Sequence, residues 1–220
     1  MAKLKIFVTL TGPAGAGKSE HAKRLTTDLN NQGRRTYHQN TGTMYRLVGD
    51  RALLLANGDI NAAKEVKPIQ VIQTLLGSNP ILSEGVIYLN DTPIDPESLR
   101  TPEHSDLASF FGTKKLIRDI LNELFRDEAA RSKAEIIVVD ARDAHRIHTP
   151  TVEFYLNVSD EESARRHNQP LEVIRARNLQ DRTREADPLV QTESAIPIET
   201  DGRTKDEVYA NLRSHIDPHL

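Results

Sequence analysis

Cysteine and tryptophan are both absent from the 220-residue sequence. Without cysteine there can be no disulfide framework and no thiolate metal site. No apolar run approaches the roughly 18 residues that a membrane-spanning helix requires. Positive charge is not in excess: 29 Lys and Arg face 32 Asp and Glu, a formal net charge of -3, which lacks the basic footprint that nucleic acid or an anionic membrane demands. Internal repeats and low-complexity tracts are missing too. The first apolar segment, LKIFVTL, has a short basic lead but no small-residue cleavage site, so it reads as a strand and not as a signal peptide. These absences predict a cytoplasmic protein that binds neither nucleic acid nor membrane. With 37% hydrophobic residues, one substantial core and a monomer are expected.

What the sequence does contain is alternation. Strand-like runs at 4–10, 35–39, 135–139, 152–158 and 195–199 are separated by helical patterns, which predicts an α/β fold of three layers, α/β/α, around a five-stranded parallel sheet. Two helix starts carry capping boxes, Ser159 with Glu162 and Thr204 with Glu207. One stretch breaks the pattern. In ILSEGVIYLNDTPIDPESL, residues 81–99, apolar residues flank an Asn90-Asp91 turn, the mark of a β-hairpin inserted between helices as a mobile flap or accessory domain.

The most specific local signal is Gly12-Pro13-Ala14-Gly15-Ala16-Gly17-Lys18-Ser19, which matches G-x-x-x-x-G-K-[ST] directly after a strand and directly before a helix. Glycines let successive N–H groups converge on one concavity, and the following helix adds the positive end of its dipole. A polyphosphate belongs there. Lys18 is expected to neutralise its terminal oxygens, Ser19 to hold a magnesium ion, and Glu20 to open the helix beside the bound ATP. No guanine-reading N-K-x-D segment follows, which excludes a GTPase switch. Instead, arginine recurs in separated segments: TGTMYR (41–46), RTPE (100–103), DARD (140–143) and RNLQDRTR (177–184). Guanidinium forks grip phosphate bidentately and stay charged, as a kinase of phosphorylated acceptors requires. Asp140, ending the IIVVD strand, is placed as a carboxylate that supports magnesium. A solvated helix laced with ion pairs is the plainer reading of the arginine-rich stretch 165–184.

These segments, in this order, resemble the bacterial cytidylate kinases of the nucleoside monophosphate kinase superfamily. Members show the phosphate loop, a D-[ST]-G-x-x-Y-R box, an I-R-T segment after a hairpin insert, a D-G-R-D box and a lid reading R-D-x-x-D-x-x-R. The resemblance implies a core domain from 1–59, 109–162 and 191–220, an acceptor-binding domain at 60–108 and an arginine-rich helical lid at 163–190. It further implies that Thr41, Tyr45 and Arg46 seat the acceptor monophosphate and that Arg100 and Asp143 read the cytosine edge. Arg142 would hold the acceptor phosphate, Arg177 and Arg184 would close over the transferring group, and Asp181 would contact the sugar or orient its arginine neighbours. The implied activity is transfer of the γ-phosphate of ATP, with Mg2+, to CMP or dCMP. Five positions depart from the family: Asn40 for aspartate, Ala141 for glycine, His145-Arg146 for Gly-Thr, and Gln180 for a basic residue. UMP, a small metabolite, or a nucleotide-binding regulator without transfer remain the rival readings.

Overall fold

The computed structural model describes residues 5–220. Leu4, the expected first strand residue, lies outside the described residues. In chain order the elements begin with β1 (Ile6–Thr11), α1 (Lys18–Asn31), β2 (Thr36–Asn40), α2 (Thr41–Leu55), α3 (Ile60–Glu65), α4 (Pro68–Gly77), β3 (Pro80–Ser83), β4 (Val86–Leu89) and β5 (Thr92–Pro93). They continue with α5 (Pro102–Phe111), α6 (Lys115–Arg131), β6 (Ile136–Asp140), α7 (Ala144–Ile147), β7 (Val152–Asn157), α8 (Asp160–His167), α9 (Leu171–Thr183), β8 (Ile196–Glu199) and α10 (Lys205–Ile216). The chain divides into two compact units, residues 1–39 with 133–220, and residues 40–132. The 60–108 stretch lies inside the second unit, and the 163–190 stretch inside the first.

The first unit is built on a five-stranded sheet in the order β2-β6-β1-β7-β8. Strand β1 pairs parallel with β6 and β7, and β7 parallel with β8. All five expected strands are present. Their legibility has a physical cause: a parallel strand covered on both faces must be apolar throughout, and all five residues of β6, IIVVD, are buried. Helix α1 packs His21, Ala22, Leu25 and Leu29 inward, and α10 does the same with Val208, Tyr209, Leu212 and Ile216. Apart from His21, these residues join Val8, Leu10, Ile136, Val138, Phe154 and Leu156 in one core. Because the chain leaves β1 on one side and returns to β7 on the other, the carboxyl ends of the central strands border a crevice, the usual ligand position of such sheets.

The capping boxes behave differently. At α10, Thr204 accepts from the Glu207 N–H and Glu207 reaches back to the Thr204 N–H at 2.7 Å, as expected. At α8, Ser159 accepts from the Glu162 N–H, but the Glu162 carboxylate does not reach back. Arg165 and Arg166 claim it at 2.7–2.8 Å, and the Ser159 N–H turns to the Asp201 carboxylate.

In the second unit, the expected hairpin is a three-stranded antiparallel sheet, β3-β4-β5. The Asn90-Asp91 turn joins β4 to β5 with both residues at positive φ, 47° and 63°, as a tight primed turn needs. A second turn of the same kind, Glu84-Gly85, joins β3 to β4. Helices α4 and α6 pack against this sheet, and α2 and α5 pack closely on each other, where Gly49 admits Leu107: a Cβ on Gly49 would lie 2.9 Å from the leucine side chain.

Candidate active site

Residues 12–17 connect the buried end of β1 to α1. A side chain at Gly12 (φ +143°) would run into the Leu156 carbonyl, and one at Gly15 (φ +72°) would meet Ser163 Oγ at 2.7 Å. Only glycine fits either place. Lys18 opens α1 and curls back into the loop, its Nζ donating to the carbonyls of Gly12 (2.8 Å) and Pro13 (2.7 Å). Burial, reinforced by the positive charge of Arg142 and opposed by Asp140 and Asp181, lowers its pKa from 10.5 to about 7. An ammonium so poorly solvated is a site that gains from a polyanion. Ser19 donates from Oγ to Oδ2 of Asp140 at the end of β6. Glu20 turns to Lys205 of α10 at 2.6 Å.

Asp140 carries a second partner that the motifs did not indicate. His38 of β2 places Nε2 3.6 Å from the same Oδ2. Burial would raise the Asp140 pKa, but the His38 contact, the Lys18 charge and the Ser19 hydroxyl outweigh it and hold the carboxyl below its ordinary value. An ionised carboxylate and a hydroxyl in contact form an oxygen donor pair of the kind hard divalent cations take. Among the described residues no group of three or more His, Cys, Asp or Glu side chains is arranged to hold a metal. Such a pair therefore suits an ion held mainly by a nucleotide's own phosphates.

Beyond Asp140 the chain runs through Arg142 and Asp143 to α7. Arg142 donates from Nη1 to the Gly12 carbonyl at 3.1 Å and faces Asp181 of α9, Nε to Oδ2, at 3.3 Å. Arg184 also meets Asp181, Nη1 to Oδ1 at 3.2 Å, and lies 3.6 Å from Asp143. Its Nε donates to the Asp187 carbonyl at 2.7 Å. Asp181 is thus the carboxylate shared by two arginines, and Arg184, Asp143 and Asp181 are only 4–8% exposed. Half-buried Arg177, one turn earlier on α9, is close enough for its charge to act on Lys18. The structure therefore brings together Lys18, Asp140, Arg142, Asp143, Arg177, Asp181 and Arg184 around the loop. Arg165 and Arg175 instead form exposed ion pairs with Glu162 and Glu161, which is what the plainer reading of the charge run describes.

In the second unit, Thr41 starts α2, and Asn40 caps it by accepting from the Thr43 N–H. The amide thus still serves the helix where the family has aspartate. Arg46 folds back over this end, its Nη1 3.5 Å from where a Gly42 Cβ would stand. A guanidinium beside a helix N-terminus favours an anion. Arg100 precedes α5 and pairs with Glu97 at 3.4 Å. Arg118 of α6 belongs to none of the sequence motifs. It is 1% exposed, donates to the Gly112 carbonyl at 3.1 Å and holds its guanidinium 5.5 Å from the Tyr45 ring. A buried arginine marks an expensive charge, and burial is invisible to a motif.

Comparison with known proteins places these features in a family. The cytidylate kinase family model matches residues 8–217. Among curated proteins, a cytidylate kinase of Caldicellulosiruptor saccharolyticus is 31% identical over 219 residues, covering 93% of this chain and 92% of that protein. One from Carboxydothermus hydrogenoformans is 34% identical over 225 residues, with 93% and 94% covered. In fold, the chain is similar to the crystal structure of TT1252 from Thermus thermophilus, with a TM-score of 0.50, 14% identity and 99% of both chains covered. Among the described residues no helix is long and apolar enough to cross a membrane.

Proposed function

The chain belongs to the cytidylate kinase family, and from that premise we propose how its residues carry out the reaction. The activity is phosphorylation of CMP or dCMP by ATP, with a divalent metal, to give the diphosphate and ADP. We read the metal as Mg2+. Ser19 and Asp140 would hold it, and when bound it supplies neutralising charge to the transferring phosphates.

The remaining work falls to side chains. Residues Gly12 to Ser19 wrap the triphosphate of ATP, with Glu20 at the first turn of the helix behind it. Lys18 exchanges its two carbonyl partners for phosphate oxygens and regains its proton. Thr41, Tyr45 and Arg46 seat the acceptor monophosphate, and Arg142 takes it from the side of the loop. Arg100 and Asp143 read the cytosine edge, because a carboxylate accepts from the exocyclic amine that distinguishes cytosine from uracil. Asp181 releases Arg142 and Arg184 when phosphates supply stronger partners, and Arg177 and Arg184 then stabilise the charge on the transferring group. In this division of labour 60–108 is the acceptor domain and 163–190 the lid, which keeps water from the γ-phosphate.

The observation that carries the reading is the cation cluster centred on Lys18, Arg142 and Arg184, held by carbonyls and by Asp181. Its test is an acceptor panel with ATP and Mg2+, monitoring ADP with CMP, dCMP, UMP, dUMP, AMP and GMP. CMP and dCMP should be consumed fastest. ADP formation with UMP alone, or with no monophosphate, would contradict the reading.

A further inference from the structure

Phosphate-binding loops work only if their N–H groups point inward, and a glycine-rich segment has no intrinsic reason to hold them so. In a trans peptide unit the C=O of one residue and the N–H of the next point in opposite directions. Tethering the carbonyl therefore aims the amide. In the first half of this loop the Gly12 and Pro13 carbonyls face Lys18. Accordingly the N–H that shares a peptide with the Pro13 carbonyl, that of Ala14, points away and is received by Asn178 Oδ1 of α9 at 3.4 Å.

The second half is reversed. The Ala14 carbonyl accepts from Ser163 Oγ at 2.9 Å and the Gly15 carbonyl from Arg166 Nη1 at 2.9 Å, both side chains belonging to α8. Their peptide partners are the N–H groups of Gly15 and Ala16, which therefore point away from α8. Both tethers are themselves fixed. Ser163 is fully buried against Gly15. Arg166 is also held by Glu162 (2.8 Å), Thr200 O (2.8 Å) and Thr200 Oγ1 (3.1 Å).

We propose that Ser163 and Arg166 are positioning residues that pre-set the Gly15 and Ala16 amides for the donor triphosphate by holding the preceding carbonyls from behind. This rests on the reading of residues 12–19 as the triphosphate cradle. Neither side chain touches the nucleotide. Their contribution is to remove, before binding, the reorientation that a free loop would undergo during it.

Calorimetric titration of the full chain with Mg2+·ATP, on wild type, Ser163→Ala, Arg166→Met and Arg166→Lys, tests this alongside thermal melts and steady-state kinetics. Losing one tether should weaken ATP binding by about 5- to 10-fold, with KM for CMP and kcat at saturation held within about twofold. Arg166→Lys should recover part of the loss, since an ammonium can still reach one carbonyl. Added pyrophosphate should move the Gly15 and Ala16 amide resonances in wild type and less in the variants. Unchanged ATP affinity in Ser163→Ala and Arg166→Met overturns the proposal, as does an equal fall in ATP and CMP affinity that tracks a lowered melting temperature. If Arg166→Met does not fold, Ser163→Ala alone decides. Lys18→Ala separates the two levels: should it keep wild-type ATP affinity, the cradle reading itself fails, whereas loss there with no effect at Ser163 and Arg166 overturns only the tethering.

Discussion

Binding of ATP should draw a proton onto the enzyme. Without nucleotide, the Lys18 ammonium is surrounded by low-dielectric protein, with Arg142 and Arg177 repelling it and Asp140 and Asp181 too few to compensate, so it titrates near 7. At pH 8 only about one molecule in ten then carries the charge. A triphosphate against Nζ restores the ammonium, so uptake of about 0.9 proton per ATP is expected at pH 8, falling to about 0.1 at pH 6 where the group is already charged. The assay is calorimetry with saturating Mg2+, which keeps the γ-phosphate ionised, in buffers of different ionisation enthalpy. The slope of observed heat against that enthalpy counts protons. Lys18→Arg keeps a permanent charge and should bind with no uptake at either pH. A flat slope at pH 8 for wild type, or an equal slope for Lys18→Arg, would refute the reasoning.

Four further outcomes follow from the same geometry. Because the folded-state pKa of Lys18 lies below its unfolded value, the folded chain binds fewer protons between about pH 7 and 10, and the contribution of Lys18 to stability rises with pH across that window; denaturant titrations of nucleotide-free wild type minus Lys18→Arg should show the difference climbing. Arg142→Ala removes a partner of both the loop and Asp181, and kcat should fall by about 10²–10³ with far-ultraviolet dichroism unchanged. Phe154→Ala empties a fully buried place on β7 and should cost about 3–5 kcal/mol in urea unfolding. Thr204→Ala takes one arm from an exposed capping box and should cost only about 1 kcal/mol in the same measurement.

The parts of the molecule that read directly from sequence are those whose physics is local. The loop declares itself in eight consecutive residues, and β6 and β7 declare themselves because burial on both faces allows little but apolar side chains. The Glu84-Gly85 turn is the weaker of two local signals, since glutamate is an uncommon residue at positive φ. The groups behind and beside the loop were hidden for a different reason. His38 reaches Asp140 from β2, whose neighbour in the sheet is β6, a pairing that sequence order does not express. Ser163, Arg166 and Asn178 act on backbone atoms of the loop, and their identity carries no motif. In sequence, Arg166 is indistinguishable from the other members of a solvated charge run. At Ser159, the box pattern was right about the serine and wrong about the glutamate, because two arginines on the next turn compete for the same carboxylate with charge-assisted hydrogen bonds.

All of this depends on fixed positive charge gripping the phosphate that moves. The most direct measurement is to supply ATP labelled at the γ-phosphorus together with CMP and Mg2+ and to follow the label in wild type, Lys18→Ala and Arg142→Ala. Label should appear in CDP at the full rate with wild type, about 10²–10³ times more slowly with Arg142→Ala and not detectably with Lys18→Ala, while both variants retain the wild-type dichroism. Label emerging chiefly as inorganic phosphate, or CDP forming at the wild-type rate in Lys18→Ala, would contradict the account.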